Sequence, residues 1–367
     1  MNTDAKALDR KILKFIERHR RNDTAPESEF NHLALEIFEY QFKRNENYRK
    51  YCLFEKKNPA NIFSWKEIPA MPAMGFKELI LSTFPVREAV KVFKTSGTTE
   101  QSHGAHFFDT LRLYDASAVP VFKKYLLPER DRILCFFLMA SPAASPHSSL
   151  SYMMGVINRR FSGGRGKYYF ENNVLKFKEL CGDLRRAEKK EAILILSTAF
   201  SLKAFLDYLR SNKISFRFRQ GSRLMETGGF KGRTKEVSKK RLYSNCEKFF
   251  GIANEYCVSE YGMTELSSQF YDTTLRDKIS RVKRRSFKAG PPWLRMLVID
   301  PKTGRETKNG RIGILRHFDL ANRGSVIAVQ TEDVGRAAGK GFELLGRLSG
   351  ADLRGCSLSY EEFLAKS

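Results

Sequence analysis

Hydrophobic positions change their spacing along this chain, and each change marks a different element. In residues 6–21 they fall at Leu8, Ile12, Leu13, Phe15 and Ile16, a helical stripe opposite a basic face. Phe30, Leu33, Ala34, Ile37, Phe38 and Phe42 repeat that period, so residues 30–42 form a second amphipathic helix. Residues 45–61 are polar and mixed, and 68–76 make a loop punctuated by Pro69 and Pro72. Residues 89–93 alternate like a strand, and 109–126 read as a helix capped by Asp109 or Thr110. Residues 132–139 and 192–198 are continuous apolar runs, the signature of strands buried on both faces. The first ends in a small-residue loop at 140–149, and the second leads into a helix at 202–209. Residues 224–233 begin as a strand and turn on glycines, 235–250 form a basic helix, and 256–265 a short strand opening into a polar turn. Beyond Trp293 the pattern shortens to strands at 295–299, 312–318, 326–331 and 342–348.

This order predicts an α/β body followed by a small β-rich unit. We divide the chain into a helical N-terminal segment, 1–60, an α/β core, 61–290, and a β-rich subdomain with a short tail, 291–367. With 42% hydrophobic residues over 367 positions, the chain has enough apolar surface for a substantial core. No apolar run is long enough to span a membrane, and the polar N-terminus lacks the apolar segment of a secretion signal, so a cytoplasmic protein is expected. The six cysteines are scattered, without the paired spacing of a zinc site or a disulfide framework. The formal net charge of +24 changes the picture more. It concentrates in residues 203–248, with 13 basic against 4 acidic side chains, and in 276–316, with 13 against 3. Such stretches read as a solvated basic surface, or as a surface for an acidic partner, an anionic membrane or nucleic acid. Signatures of nucleic-acid binding domains are absent.

Candidate chemistry centres on Lys94-Thr-Ser-Gly-Thr-Thr-Glu100. Thr95, Ser96, Thr98 and Thr99 surround Gly97 directly after a strand, and backbone N–H groups with hydroxyl donors in such a turn suit a polyphosphate. No Gly-Lys-Ser/Thr follows, so this is not the P-loop of kinases and GTPases. A second polar turn, Glu260-Tyr-Gly-Met-Thr-Glu265, offers an aromatic ring, a hydroxyl and a carboxylate. Glu226-Thr-Gly-Gly precedes it, and Gln330-Thr-Glu-Asp-Val-Gly and Leu344-Leu-Gly-Arg follow. Taken singly, each is an ordinary turn or surface charge. Their order carries the inference.

That order resembles the adenylate-forming superfamily of acyl-CoA ligases, firefly-type luciferases and peptide-synthetase adenylation domains. The resemblance implies that family's large-domain architecture with a small β-rich C-terminal subdomain, and ATP and Mg²⁺ as cofactors. It implies that Thr95, Ser96, Gly97, Thr98 and Thr99 hold the β- and γ-phosphates and that Thr264 reaches the α-phosphate. Glu265 would hold the metal, Gly228, Gly229 and Tyr261 would flank adenine, and Asp333 would take the ribose with Arg347 in support. Glu226-Thr-Gly-Gly-Phe-Lys-Gly-Arg, Pro146-His-Ser-Ser-Leu, His317-Phe-Asp-Leu-Ala-Asn and Arg354-Gly-Cys-Ser-Leu-Ser narrow it to the long-chain acyl-protein synthetases of the LuxE type, from about residue 60 onward. That family implies a fatty acid substrate, an acyl-adenylate, and transfer to a protein thiol, with Cys356 the matching nucleophile and His147 a candidate lining of the acyl pocket. An acidic acyl carrier protein or an acyl-reductase is the implied partner.

Two departures bear on this. Glu100 stands where the superfamily usually has glycine, and only 20 residues follow Arg347, where acyl-CoA ligases carry a mobile domain with a catalytic lysine. The second departure favours the acyl-protein type over ordinary CoA ligation. Competing readings are an enzyme loading a small aromatic or aliphatic acid onto CoA or a carrier protein, and a catalytically silent basic binding protein of the same fold.

Overall fold

A computed structural model describes residues 3–95, 103–171, 174–228, 238–308, 310–348 and 363–364. Ser96, Gly97, Thr98, Thr99, Gly229 and Cys356 lie outside the described residues. The chain divides into two compact units built from discontinuous segments. One comprises Met1–Ala118, Met263–Gln269 and Phe287–Ser367; the other comprises Val119–Gly262 and Phe270–Ser286.

The second unit is the α/β body. Leu134–Ala140 pairs in parallel with Lys167–Glu171 on one side and Ile193–Thr198 on the other. Arg223–Thr227 and then Cys257–Tyr261 extend the sheet in parallel, and Phe270–Asp272 adds an antiparallel strand. Helices Ser149–Phe161, Phe177–Ala187, Ala199–Ser211 and Lys239–Phe250 connect these strands. That arrangement explains the continuous apolar runs. Cys135–Met139, Ile193–Leu196, Leu224 and Met225 are all buried, as strands covered on both faces must be. Local chemistry sets the helix ends. The Thr198 hydroxyl accepts from Ser201 N at 3.1 Å, and Ser238 accepts from Arg241 N at 3.3 Å. Helix Lys239–Phe250 stops at Gly251, whose φ of 68° belongs to the left-handed region.

The strand order reverses at Leu134–Ala140: the chain leaves it first to one neighbour, then returns to the other. Open α/β sheets bind ligands outside the carboxyl ends of their strands at such a point. The loop 141–148, with His147, starts there.

The first unit contains the β-rich part. Leu294–Ile299, Ile312–Asp319, Ala328–Ala338 and Gly341–Arg347 form an antiparallel meander. Met71–Pro72 adds to Ala328–Ala338 in parallel. Lys91–Lys94 and Ala105–Phe108 make a separate antiparallel ribbon, with Lys91 opposite Phe108 and Lys94 opposite Ala105. The N-terminal helices are Thr3–His19, Glu27–Arg44 and Glu46–Phe54. The third falls in the stretch that reads as polar and mixed. Asn45 caps it, its side chain accepting from Tyr48 N at 3.1 Å, and its buried face consists of Tyr48, Tyr51 and Cys52 instead of aliphatic residues. Among the described residues no helix is long and apolar enough to cross a membrane.

Candidate active site

The ribbon closes around the neck of the hydroxyl loop. Thr95 N donates to Gly104 O at 2.8 Å, and Gly104 N donates to Thr95 Oγ1 at 2.9 Å. Gly104 is required by close approach. A Cβ there would lie 3.0 Å from Thr95 Cγ2 and 3.2 Å from both Lys77 Cγ and the carbonyl carbon of Phe76.

His106, on the ribbon's return strand, joins it to the second polar turn. Its Nδ1 is 2.8 Å from Thr264 O, and its Nε2 is 2.9 Å from Ser325 Oγ. A carbonyl only accepts, so Nδ1 carries the proton and Nε2 accepts from the serine hydroxyl. Burial pushes this imidazole down to about 4, against the opposing effect of the Thr264 bond. A folded-state value below the ordinary 6.5 means that the stability due to the neutral ring is full above pH 6.5 and is lost as pH falls through 4. His106→Asn keeps a donor for Thr264 O but does not titrate. The stability advantage of the wild type over this variant should therefore shrink by about 3 kcal/mol between pH 6.5 and pH 4, as measured by urea unfolding.

Behind Glu265 the turn is held by Asp319 and Asn322. Asp319 accepts from Ser267 N at 3.0 Å, Ser268 N at 2.8 Å, Ser268 Oγ at 2.8 Å and Ala321 N at 3.0 Å. Asn322 Nδ2 donates to Glu265 O at 2.8 Å, and Asn322 Oδ1 accepts from Ser267 N at 2.8 Å. Burial raises Asp319 to about 6 while these donors oppose the rise. Through these bonds the His317-Phe-Asp-Leu-Ala-Asn segment fixes the backbone that carries Thr264 and Glu265.

The Glu265 carboxyl is buried, and burial pushes its pKa up to about 7. The backbone N–H of Glu265 and the charges of Arg347 and Lys77 oppose that rise, and Asp333 adds to it. Three stretches far apart in sequence therefore act on one carboxyl. Asp333 and Arg347 sit opposite each other on neighbouring strands. Asp333 N donates to Thr331 Oγ1 at 3.1 Å within the strand Ala328–Ala338. Arg347 is exposed and pairs with Glu332 at 2.8 Å. No side chain among the described residues donates a hydrogen bond to the Glu265 carboxyl. A buried carboxylate suits a hard cation that takes one protein oxygen and completes its shell with phosphate and water. Among the described residues no group of three metal-ligating side chains exists.

In the second unit, Gly228 and Tyr261 come to one edge. Thr227 is opposite Glu260 in the parallel register and its hydroxyl donates to that carboxylate. One residue further on, Gly228 and Tyr261 leave the carboxyl ends of adjacent strands. Gly228 has φ of 73° and open space where a Cβ would be, so its glycine serves the backbone turn. The Tyr261 ring is buried against Phe270, with centroids 6.0 Å apart. Glu226 accepts from Tyr243 OH at 3.0 Å, tying the strand to helix Lys239–Phe250. His147 is exposed in its loop.

The family model for the acyl-protein synthetase LuxE matches residues 19–365. The chain belongs to the LuxE acyl-protein synthetase family. It is similar to the long-chain-fatty-acid–luciferin-component ligase of Aliivibrio fischeri, 22% identical over 350 residues that cover 91% of this chain and 88% of that protein. It is also similar to the ligase of the same description from Vibrio harveyi, 19% identical over 351 residues with the same coverage. Among solved structures, a 2-hydroxyisobutyryl-CoA ligase in the postadenylation state with 2-HIB-AMP superposes with a TM-score of 0.63 at 14% identity. It covers 92% of this chain and 74% of that one, a likeness of fold.

The LuxE family placement makes this chain an acid–thiol ligase that works through an acyl-adenylate. Adenylate-forming enzymes use ATP, generally with Mg²⁺. Sequence reasoning did not single out His106, Asn322 and Asp319, which hold the Thr264–Ser268 backbone, or Lys77, whose charge acts on Glu265. Asp319 and Asn322 had a signal, since they lie within a stretch carrying the family resemblance. Lys77 and His106 had none.

Proposed function

We infer that the protein activates a fatty acid with ATP and passes the acyl group to a protein thiol. The observation that carries this reading is the buried Glu265 carboxyl, acted on at once by Asp333, Arg347 and Lys77. In the first step a carboxylate oxygen of the acid attacks the α-phosphorus, the bond from that phosphorus to the bridging oxygen breaks, and its electron pair leaves with pyrophosphate. Charge neutralisation and alignment lower such a barrier. Thr95, Ser96, Gly97, Thr98 and Thr99 receive the β- and γ-phosphates, and Thr264 donates to the α-phosphate. Gly228, Gly229 and Tyr261 flank adenine. Asp333 accepts from the ribose hydroxyls, with Arg347 in support. Glu265 is the ligand for Mg²⁺, which when bound neutralises phosphate charge. His147 borders the acyl chain.

In the second step the thiolate of Cys356 attacks the carbonyl carbon, forming the thioester as AMP leaves with the electron pair of the broken carbon–oxygen bond. A neighbouring Arg354 favours the thiolate. An acidic carrier protein or acyl-reductase then exchanges the acyl group at the basic surface. The names of the relatives support a long-chain acid as substrate.

Acid-dependent exchange between ATP and labelled pyrophosphate, across fatty and small aromatic acids, tests the first step. Exchange with fatty acids supports the reading, and exchange with small acids only would replace it. For the second step, Cys356→Ser should keep exchange within about threefold of wild type, while thioester label on the protein falls by about 10²-fold or more. Persistence of hydroxylamine-sensitive label in this variant would remove Cys356 from the mechanism.

A further inference from the structure

Lys77 is placed by the same elements that carry the proposed nucleotide site. Met71 and Pro72 pair with Val329 and Gln330, and Ala73 N donates to Gln330 O at 2.9 Å. This fastens the start of the Lys77 turn to the strand that bears Asp333. Phe76 is buried with its ring edge-on to His106, centroids 5.6 Å apart, and His106 holds Thr264. The Lys77 stem runs past Gly104 at the neck of the hydroxyl loop, where glycine leaves room for it beside Thr95. Backbone pairing, a buried ring and the glycine gap thus fix where this stem goes.

The charge at its end is uncommitted. The Lys77 ammonium makes no hydrogen bond or ion pair among the described residues, whereas the Arg347 guanidinium is paired with Glu332. ATP carries several negative charges into a neighbourhood that already contains Glu265, Glu332 and Asp333. An exposed ammonium whose stem passes Thr95 and Gly104 meets that need, since lysine acts on phosphate as a strongly hydrated point charge on a flexible stem.

We propose that Lys77 is a phosphate-binding residue that contacts the β- and γ-phosphates of ATP at the neck of the hydroxyl loop and stays on pyrophosphate as it departs. This rests on the adenylation reading above. The ammonium takes no part in bond making or breaking. It balances charge as the α-phosphorus gains the acid oxygen and loses the bridging oxygen, whose electron pair goes to pyrophosphate.

Calorimetric binding of MgATP and of AMP to the full chain, wild type, Lys77→Met and Lys77→Arg, separates the outcomes. Lys77→Met should weaken MgATP about 10- to 100-fold and leave AMP within about twofold, because AMP lacks the phosphates concerned. Lys77→Arg should return MgATP binding to within about fivefold of wild type. Exchange kinetics should move the KM for ATP and leave the KM for the acid within about twofold. MgATP binding unchanged in Lys77→Met would overturn the proposal, and so would an equal loss for ATP and AMP. A wild type that binds no MgATP would overturn the adenylation reading and this proposal with it, a result distinct from the other two.

Discussion

Glu265→Gln is expected to lower acid-dependent ATP–pyrophosphate exchange by about 10³-fold while making the nucleotide-free protein more stable above neutral pH. Both effects come from one group. Gln keeps the volume and the polarity of the side chain but cannot ligate a divalent cation as a carboxylate does, so the charge partner of the phosphates is lost. Stability moves the other way because the folded protein holds Glu265 at about 7, against an ordinary 4.5, through burial. A carboxyl raised in this way contributes stability that is full below pH 4.5 and is lost as pH rises through 7. Above that, ionised Glu265 is a desolvated charge eased only in part by Arg347 and Lys77. The variant has no such loss. Its stability relative to wild type should therefore rise by about 3 kcal/mol from pH 4.5 to pH 8, read by urea unfolding without nucleotide. Exchange within tenfold of wild type would remove Glu265 from the metal role. A flat stability difference over this pH range would show that the carboxyl is not desolvated.

Arg323→Met is expected to destabilise the protein by about 3–5 kcal/mol at pH 7. Arg323 is buried between two carboxylates, with Nε 2.8 Å from Asp9 Oδ1 and Nη2 2.8 Å from Asp109 Oδ1. This joins the first helix to the loop after Asn322, which in turn holds Glu265. Methionine fills much of the space and leaves two buried carboxylates without their cation. Burial already raises Asp9 above its ordinary value, with Arg323 opposing that rise, so removing Arg323 raises it further. Stability attached to a raised carboxyl is present below its unfolded value and lost as pH rises. The deficit should therefore be smaller at pH 4 than at pH 7. Asp9→Asn added to Arg323→Met should recover part of the loss at pH 7, because one uncompensated charge is gone. A deficit below about 1 kcal/mol at pH 7 would contradict the buried triad.

Much of the fold could be read from periodicity because the strands concerned are buried on both faces. Residues 132–139 and 192–198 form continuous apolar runs and are the parallel strands Leu134–Ala140 and Ile193–Thr198. Residues 342–348 appear as Gly341–Arg347, while the strand expected at 326–331 continues to Ala338 with a register shift at Val334 and Gly335. Gly335 permits that continuation, since a Cβ there would meet Glu343 O at 2.8 Å. Helix Glu46–Phe54 escaped the hydrophobic pattern. Its inward side chains are tyrosines whose hydroxyls donate to Pro69 O at 2.6 Å and Ala70 O at 3.3 Å, so they register as polar while buried.

By itself the sequence determined the order of the motifs on which the family resemblance and the proposed mechanism rest. Hydroxyls around Gly97, a carboxylate after Tyr261-Gly-Met-Thr, an aspartate at 333 and an arginine at 347 are local statements, legible because turns and phosphate chemistry select residue types at short range. The tertiary structure alone decided which of these share an electrostatic environment and what holds them. Burial pushes Glu265 up to about 7, and Asn322 holds the backbone that carries it. Thr264 is positioned by a histidine on the ribbon, and Lys77 reaches the neck of the hydroxyl loop through a glycine that tolerates its stem. Desolvation and Coulomb interactions act through space between residues far apart along the chain, and no pattern of neighbouring residues encodes them.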